Sequence, residues 1–591
     1  MKRFCLAGLL MLVVVLPAMA QLTIDGRRPV YDKLTKTYML TVPQQAFGTR
    51  YCADVVLDDN VTSMTIDGKT VTTALDLPRV DGDTAYTIVF KRDNVTTRST
   101  LHFTYLPIMS ITGTFSNEYT VAPVEITMPD EHGVRQYRAR IKQAGASTNS
   151  QWVHKHSYHV KFVDDNGEKK DVSFFGFRND NHWRLDAGTR DMIRFRNYAA
   201  NGLWADFGTR CYYVDKQPNA RSYIRGSHVE VFMNGNYHGF YNFSEFLDRK
   251  QMKLKKYDEF YQEDDNDDVN DGATSALVTL HGMMWKVTDT SNQTLFLSAD
   301  TLCDNTLGEW AFFNVMYPDI DEVCPTDYSL LINAINFVSQ SSDEGFAQHV
   351  GEYFDMPVMV DYYLFLQVIF GIDNACNNMV LGCYDCAVDK KLTLAVWDLD
   401  ATVGQHYADM EGFYHADEIQ PENELVDVPS NMCMLSSNRL FMRLIAMPDF
   451  MAQVKRRYWE LRNSILVPDS LVSRYESIYN RLESCGALSR ETLRWSDTGD
   501  ISHRMLEFPE EFDYLCDWLR RRIAYLDTHT FAMPMGDINR DGSVDIADVT
   551  MLIAQVLGAD AQAFTSQSDL NADGEVDVAD VVMLIGMILG N

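Results

Sequence analysis

From residue 21 to about 107 the chain alternates apolar and polar positions in short runs. Lys36-Thr-Tyr-Met-Leu-Thr-Val42 and Tyr86-Thr-Ile-Val-Phe-Lys91 are two of these, and Asp-Gly pairs at Asp67-Gly68 and Asp81-Gly82 separate such runs. Alternation places every second side chain on one face of a sheet, and Asp-Gly favours hairpin turns. Residues 21–107 are therefore predicted to form a β-sandwich-like domain. It gathers no cluster of His, Cys or acids, so a structural role is expected. From Pro107 to about Phe531 strand-like and helix-like runs mix without a repeat, which predicts an α+β body over 108–531. Ser157–Phe162 and Val229–Phe243 read as strands, the latter folded at Asn234-Gly235. Helices are predicted over Met192–Ala200, Pro357–Phe370 with Asp355 as cap, Phe450–Leu466 and Pro509–Leu526. Pro534 and Gly536 punctuate the step into the last segment.

That segment repeats one pattern. Asp537-Ile-Asn539-Arg-Asp541-Gly542-Ser543-Val-Asp545-Ile-Ala-Asp548 recurs as Asp569-Leu-Asn571-Ala-Asp573-Gly574-Glu575-Val-Asp577-Val-Ala-Asp580, and an apolar helix pattern follows each copy. Ca²⁺ takes six to eight hard oxygen ligands, which acids at alternate positions of a tight loop supply. Positions Asp537, Asn539, Asp541, Ser543, Asp545 and Asp548, with Asp569, Asn571, Asp573, Glu575, Asp577 and Asp580, are the candidate ligands for two ions. Both loops close with Asp rather than Glu, and no helix pattern precedes either. Residues 536–591 thus resemble the type I dockerin, an all-α calcium-binding module. The resemblance implies a cohesin-like partner, met here by the small apolar pairs Ile546-Ala547 and Val578-Ala579.

Met1-Lys2-Arg3, the apolar run Leu9–Leu16 and Ala18-Met-Ala20 read as a secretory signal over 1–20, cut before Gln21. An exported protein, secreted or held at the cell surface, is expected, with no transmembrane segment after signal removal. The formal charge of −31 argues against nucleic acid as the main partner. The acidic run Glu263-Asp-Asp-Asn-Asp-Asp268 reads as a solvated loop. Eleven cysteines are too few for a disulfide scaffold at 591 residues. Cys383-Tyr-Asp-Cys386, with Cys376 nearby, reads as a local disulfide or buried thiols in preference to a metal cluster.

One stretch gathers the groups that metal-assisted phosphoryl transfer needs. Asp373-Asn-Ala-Cys-Asn377-Asn378 follows an apolar helix, and a strand-like run Leu392–Trp397 delivers Asp398-Leu-Asp400. An acid followed by an amide, then a strand ending in a second acid, is the logic of a kinase catalytic loop and its metal carboxylate. Six ordered motifs add to this: Lys142-Gln-Ala-Gly145-Ala-Ser147-Thr148, His156-Ser-Tyr158-His-Val-Lys161-Phe162, Phe175-Gly176-Phe177 with Trp183, Arg194-Phe-Arg196-Asn197, Glu230…Asn234-Gly235…Gly239-Phe-Tyr241 with Glu245, and Trp397-Asp398-Leu-Asp400. Over about residues 110–415 the chain resembles the CotH kinase family, the spore-coat protein H type of atypical protein kinase.

The resemblance implies a kinase-like body that transfers the ATP γ-phosphate to protein Ser or Thr with Mg²⁺. Asp373 would then be the catalytic acid, Asn378 and Asp398 metal ligands, and Asp400 a second metal contact. Lys142 and Lys161 would meet the nucleotide, with Glu245 as a partner of Lys161. The segment at Lys142–Thr148 lacks the family's usual Arg-Gly-Asn core. The alternative reading is a non-catalytic adhesin or structural component of a cellulosome-like surface complex, using aromatics such as Trp152, Tyr212-Tyr213 and Trp310. A weaker third is a hydrolase with Asp398 and Asp400 as an acid/base pair.

Overall fold

The computed structural model describes residues 22–92, 95–145, 153–261, 276–405, 420–426, 435–496, 506–540, 542–558 and 567–590. The expected signal, Ser147, Thr148, Trp152, the acidic run at 263–268 and Asp541 lie outside these. No helix among the described residues is long and apolar enough to cross a membrane.

The first unit pairs a three-stranded sheet (Leu22–Ile24, Thr49–Leu57, Ala74–Val80) with a six-stranded one running Val30–Asp32, Thr37–Thr41, Val95–Thr104, Ala85–Arg92, Ser63–Ile66, Lys69–Val71. Ile24, Leu40, Met64, Ile88 and Phe103 fill the space between them. Period-two alternation produces this core: in Thr49–Leu57 buried and exposed positions take turns. Asp67 and Gly68, at φ 45° and 78°, form the expected tight turn. Asp81-Gly82 does something else, because the strands it joins lie in different sheets. A Cβ at Gly82 would stand 2.4 Å from the Gly486 nitrogen, so this glycine admits the backbone of the body.

Next comes a closed seven-stranded barrel: Ile108–Ile111, Thr120–Thr127, Arg135–Ala144, Ser157–Val163, His182–Asp186, Asn236–Glu245 and Gly226–Met233, the last returning parallel to the first. Tyr158, Val160, Phe162, Trp183 and Phe243 pack inside it. Asn234-Gly235 makes the expected hairpin, at φ 54° and 76°. The β-sandwich is bound to this barrel. Asp32 accepts from the Tyr237 amide at 3.0 Å, and Thr41 donates to the Leu106 carbonyl at 2.7 Å.

The second lobe of the body is a five-stranded sheet (Glu309–Trp310, Phe313–Tyr317, Met283–Val287, Val380–Cys383, Thr393–Ala395) packed against helices. The buried helix Met356–Ile369 runs through its core. The helix expected from Met192 begins only at Arg196 and continues to Phe207. Arg194 sits at φ 67°, which no helix allows, and the Asp191 carboxylate receives the Arg196 amide. Helix Ala487–Trp495 is held to the barrel by a buried ion cluster. Glu491 accepts from Lys155 at 2.6 Å and from the Phe240 amide at 3.1 Å, with Arg194 also at 3.1 Å. Burial pulls the Lys155 ammonium down to about 8 against the opposing pull of Glu491. Removing one partner strands a buried charge, so Glu491→Ala is expected to cost about 3–5 kcal/mol, read from the denaturant midpoint.

Candidate functional site

Strand register sorts the barrel residues by face. Arg140 lies opposite Lys161, Lys142 opposite His159, His159 opposite Arg184, and Lys161 opposite His182. These six share the outer face, because Tyr158, Val160 and Phe162 alternate with them into the core. Lys142 and Lys161 both lie over the Tyr119 ring, at 4.7 and 4.9 Å. His159 and His182 touch at 3.1 Å, and His182 stacks on Phe246 at 4.1 Å. Burial, then the charges of Arg184 and Lys142, pulls His159 down to about 3; burial and His159 hold His182 well below its usual value. Positive charge on this face is therefore carried by lysine and arginine. Arg184 reaches across to the Trp397 ring, 5.2 Å away, where the other lobe begins.

Trp397 leads into Asp398-Leu399-Asp400, and Asp398 adopts φ 56°. Three amides tie this segment to its surroundings. Asn374 donates to the Trp397 carbonyl at 2.7 Å, fixing the loop of Asp373 beside the strand end of Asp398. Asn197, on the helix Arg196–Phe207 between the fifth barrel strand and the last two, donates to Asp186 at 2.8 Å and accepts from the Leu399 amide at 3.2 Å. Gln405 donates to the Arg190 carbonyl at 2.7 Å and receives Arg196 at 3.1 Å. Arg196 is itself buried between Asp191 (2.7 Å) and Glu511 (2.6 Å).

Asp373 accepts from both neighbouring amides, Asn377 at 3.2 Å and Asn378. Asn378 is at φ 51°, and its amide donates to the Val287 carbonyl at 3.1 Å. That bond brings in Lys286, which sequence reading passed over. Lys286 lies on the central strand of the sheet, opposite Val380. Burial lowers its pKa while the charges of Asp398 and Asp373 oppose the shift. A lone lysine in Met283-Met-Trp-Lys-Val287 was the available signal. Asp186 was missed as well, because its place appears only once the strand His182–Asp186 ends beside Asn197. Asp400 feels Asp398, Asp186, Asp191 and Asp373; burial and these like charges push its carboxyl well above the ordinary range.

Glu245 is not the partner of Lys161. It lies opposite Trp183, on the face turned away from the Lys161–His182 pair. Burial alone would raise its pKa, but the hydrogen bond from Arg225 and the charge of Arg221 hold it below the usual range. Arg225 meets it at 2.8 Å, Arg221 at 3.5 Å, and the Arg178 amide at 3.2 Å. Cavities of about 260, 390 and 510 Å³ lie elsewhere, none lined by Asp373, Asp398 or Asp400. Cys376 is disulfide-bonded, while Cys383 and Cys386 are free thiols raised by burial.

Among the described residues no group of three or more His, Cys, Asp or Glu side chains stands close enough to hold a metal ion. Mg²⁺ needs no such cage, since one or two carboxylates together with substrate phosphates and water complete its shell. The donor set of Asp398 and Asn378 fits that requirement, because Asn378 uses its NH₂ on Asp373 and leaves its carbonyl oxygen to ligate. In the C-terminal segment the loop glycines Gly542 and Gly574 turn at φ 91° and 90°. Asp537 and Asp569 each accept the amide of the loop glycine at 2.9 Å. Asp548 and Asp580 hold the loop starts through the Ile538 and Leu570 amides, both at 2.7 Å, and form capping boxes with Asp545 and Asp577. These loops, rich in hard oxygen donors, fit Ca²⁺.

The family model described as "CotH kinase protein" matches residues 141–526, and that described as "Dockerin type I domain" matches 535–589. No curated protein matches the chain. Among solved structures, the titin domains z1z2 in complex with telethonin align at 11% identity over 24% of this chain and 89% of that one. The titin Ig tandem A164-A165 aligns at 13% identity over 25% and 93%. The TM-score is 0.08 in both cases, so neither likeness carries an argument. Dockerin domains generally bind calcium. Chelation is expected to unfold residues 536–590 while the body keeps its melting transition, because the loop carboxylates repel one another without the ion. Calorimetry in chelator checks this, and an unchanged profile would refute it.

Proposed function

The chain belongs to the CotH kinase protein family and carries a type I dockerin, and on that premise we propose that its body is a protein kinase. It would transfer the ATP γ-phosphate to protein Ser or Thr hydroxyls, while the dockerin tethers it to a cohesin partner. The observation that carries the reading is the gathering of Asp373, Asn378, Lys286 and Asp398 at one end of neighbouring strands of the five-stranded sheet, beside a barrel face that carries Lys142, Lys161 and Arg184.

When bound, Mg²⁺ and ATP supply the transferable phosphoryl group. Asp398 and the Asn378 carbonyl oxygen would hold the ion, with Asp400 and Asp186 behind them. Lys286 and Arg184 place positive charge where phosphate oxygens would lie, and Lys142 and Lys161 extend that charge along the barrel. Asp373, oriented by Asn377 and Asn378, takes the proton from the incoming hydroxyl. Dockerin proteins are typically extracellular or cell-surface, and the N-terminal signal expected for residues 1–20 supplies an export route.

A non-catalytic surface component is the second reading. It is favoured by the strand register that sets Lys161 and Glu245 on opposite faces of the barrel. Labelling with γ-phosphate-labelled ATP in Mg²⁺ separates the two. The kinase reading expects labelled protein, lost in Asp398→Ala and reduced about 10²–10³-fold in Lys286→Met. A wild-type chain that labels neither itself nor any candidate protein would favour the surface role.

A further inference from the structure

The two calcium loops differ at their second, fourth, seventh and tenth residues, and at the fourth a long cation stands in one loop where the other has a methyl group. Arg540 and Ala572 occupy this fourth position, and both adopt left-handed backbone, at φ 60° and 57°. The repeat therefore dictates the conformation but not the side chain. Ala572 ends at its Cβ. Arg540 reaches the body: its guanidinium lies 4.6 Å above the Trp459 ring and donates to Asn463 Oδ1 at 3.3 Å. Burial lowers the Arg540 pKa with help from Arg462, while Asp527 and Asp537 oppose the shift. The seat itself is rigid. Trp459 and Asn463 lie at the end of helix Pro448–Arg462, and Arg462 is clamped to Asp527 at 2.8 Å.

The connection between body and dockerin is also held down. Phe531 is buried in the main core, its carbonyl receives Trp459 Nε1 at 3.0 Å, and the Ala532 carbonyl receives Lys455 at 3.1 Å. Gly536 donates to the Gln567 carbonyl at 3.3 Å, so the linker meets the start of the second half too.

We propose that the first calcium loop is latched onto the body through Arg540 on Trp459 and Asn463, so that calcium filling of this loop fixes how the dockerin presents itself relative to the kinase-like body. The inference rests on the calcium reading of the loops. Arg540 lies between Asn539 and Asp541, two of the candidate ligands, so the conformation that closes on the ion is also the one that aims the guanidinium at Trp459. An arginine over an indole face, with its planar fork on an amide oxygen, gives an orientation-specific contact. A partner gripping the second half would then hold the body at a set angle.

Hydrogen exchange on the full chain tests this, followed in peptides covering 455–466 and 528–537, with calcium binding measured separately by calorimetry. Wild type is expected to bind two ions and to lose protection in both peptides on chelation. Arg540→Ala is expected to bind two ions and yet exchange about tenfold faster there in calcium, with Arg540→Lys intermediate. Wild-type protection in calcium-loaded Arg540→Ala would overturn the latch alone. A wild-type chain that binds no calcium would overturn the latch together with the calcium reading.

Discussion

Acidic side chains gather where the barrel meets the second lobe, and neighbouring groups are arranged to keep them there. Asp373, Asp398, Asp186 and Asp191 all act on Asp400, whose carboxyl is pushed far up as a result. Like charges repel more strongly in a medium of lowered dielectric, so the backbone that carries them must be fixed by other means. Neutral amides do the fixing: Asn374 on the Trp397 carbonyl, Asn197 between Asp186 and Leu399, and Asn377 and Asn378 on Asp373. Amides position acids without neutralising them, which leaves the negative field available for a cation. The counter-charges, Lys286 and Arg184, approach from a strand and from the barrel.

That arrangement explains why the chain needs both lobes. The barrel supplies a rigid basic face because its strands alternate strictly, Val160 and Phe162 inward and His159 and Lys161 outward. Its last function is to end a strand at Asp186, within reach of Asn197. The second lobe supplies Asp373 after a helix end and Asp398 with Asp400 after a strand end. Arg196, buried between Asp191 and Glu511, joins the lobes and also reaches Gln405 beyond the acidic loop.

Much of this was legible in the sequence where local chemistry dictates structure. Asn234-Gly235 and Asp67-Gly68 turn as residues with easy access to positive φ should. The duplicated acidic loops with their capping boxes follow from the repeat itself. What sequence could not carry was long-range register. Lys161 and Glu245 were expected to pair, but strand offsets place them on opposite faces. Lys286 was hidden because its role arises only when Asn378 hydrogen-bonds to the strand beside it. The helix expected at Met192 failed on a single left-handed residue, Arg194, which tertiary contact with Glu491 holds in place.

The acids and lysines where barrel and second lobe meet either form one nucleotide and metal site or serve only to hold the lobes. Calorimetric titration of the full chain with ATP, with and without Mg²⁺, addresses that directly. Saturable binding that requires Mg²⁺ and disappears in Asp398→Ala is the predicted result. No binding under either condition, or binding indifferent to both Mg²⁺ and Asp398, would contradict it.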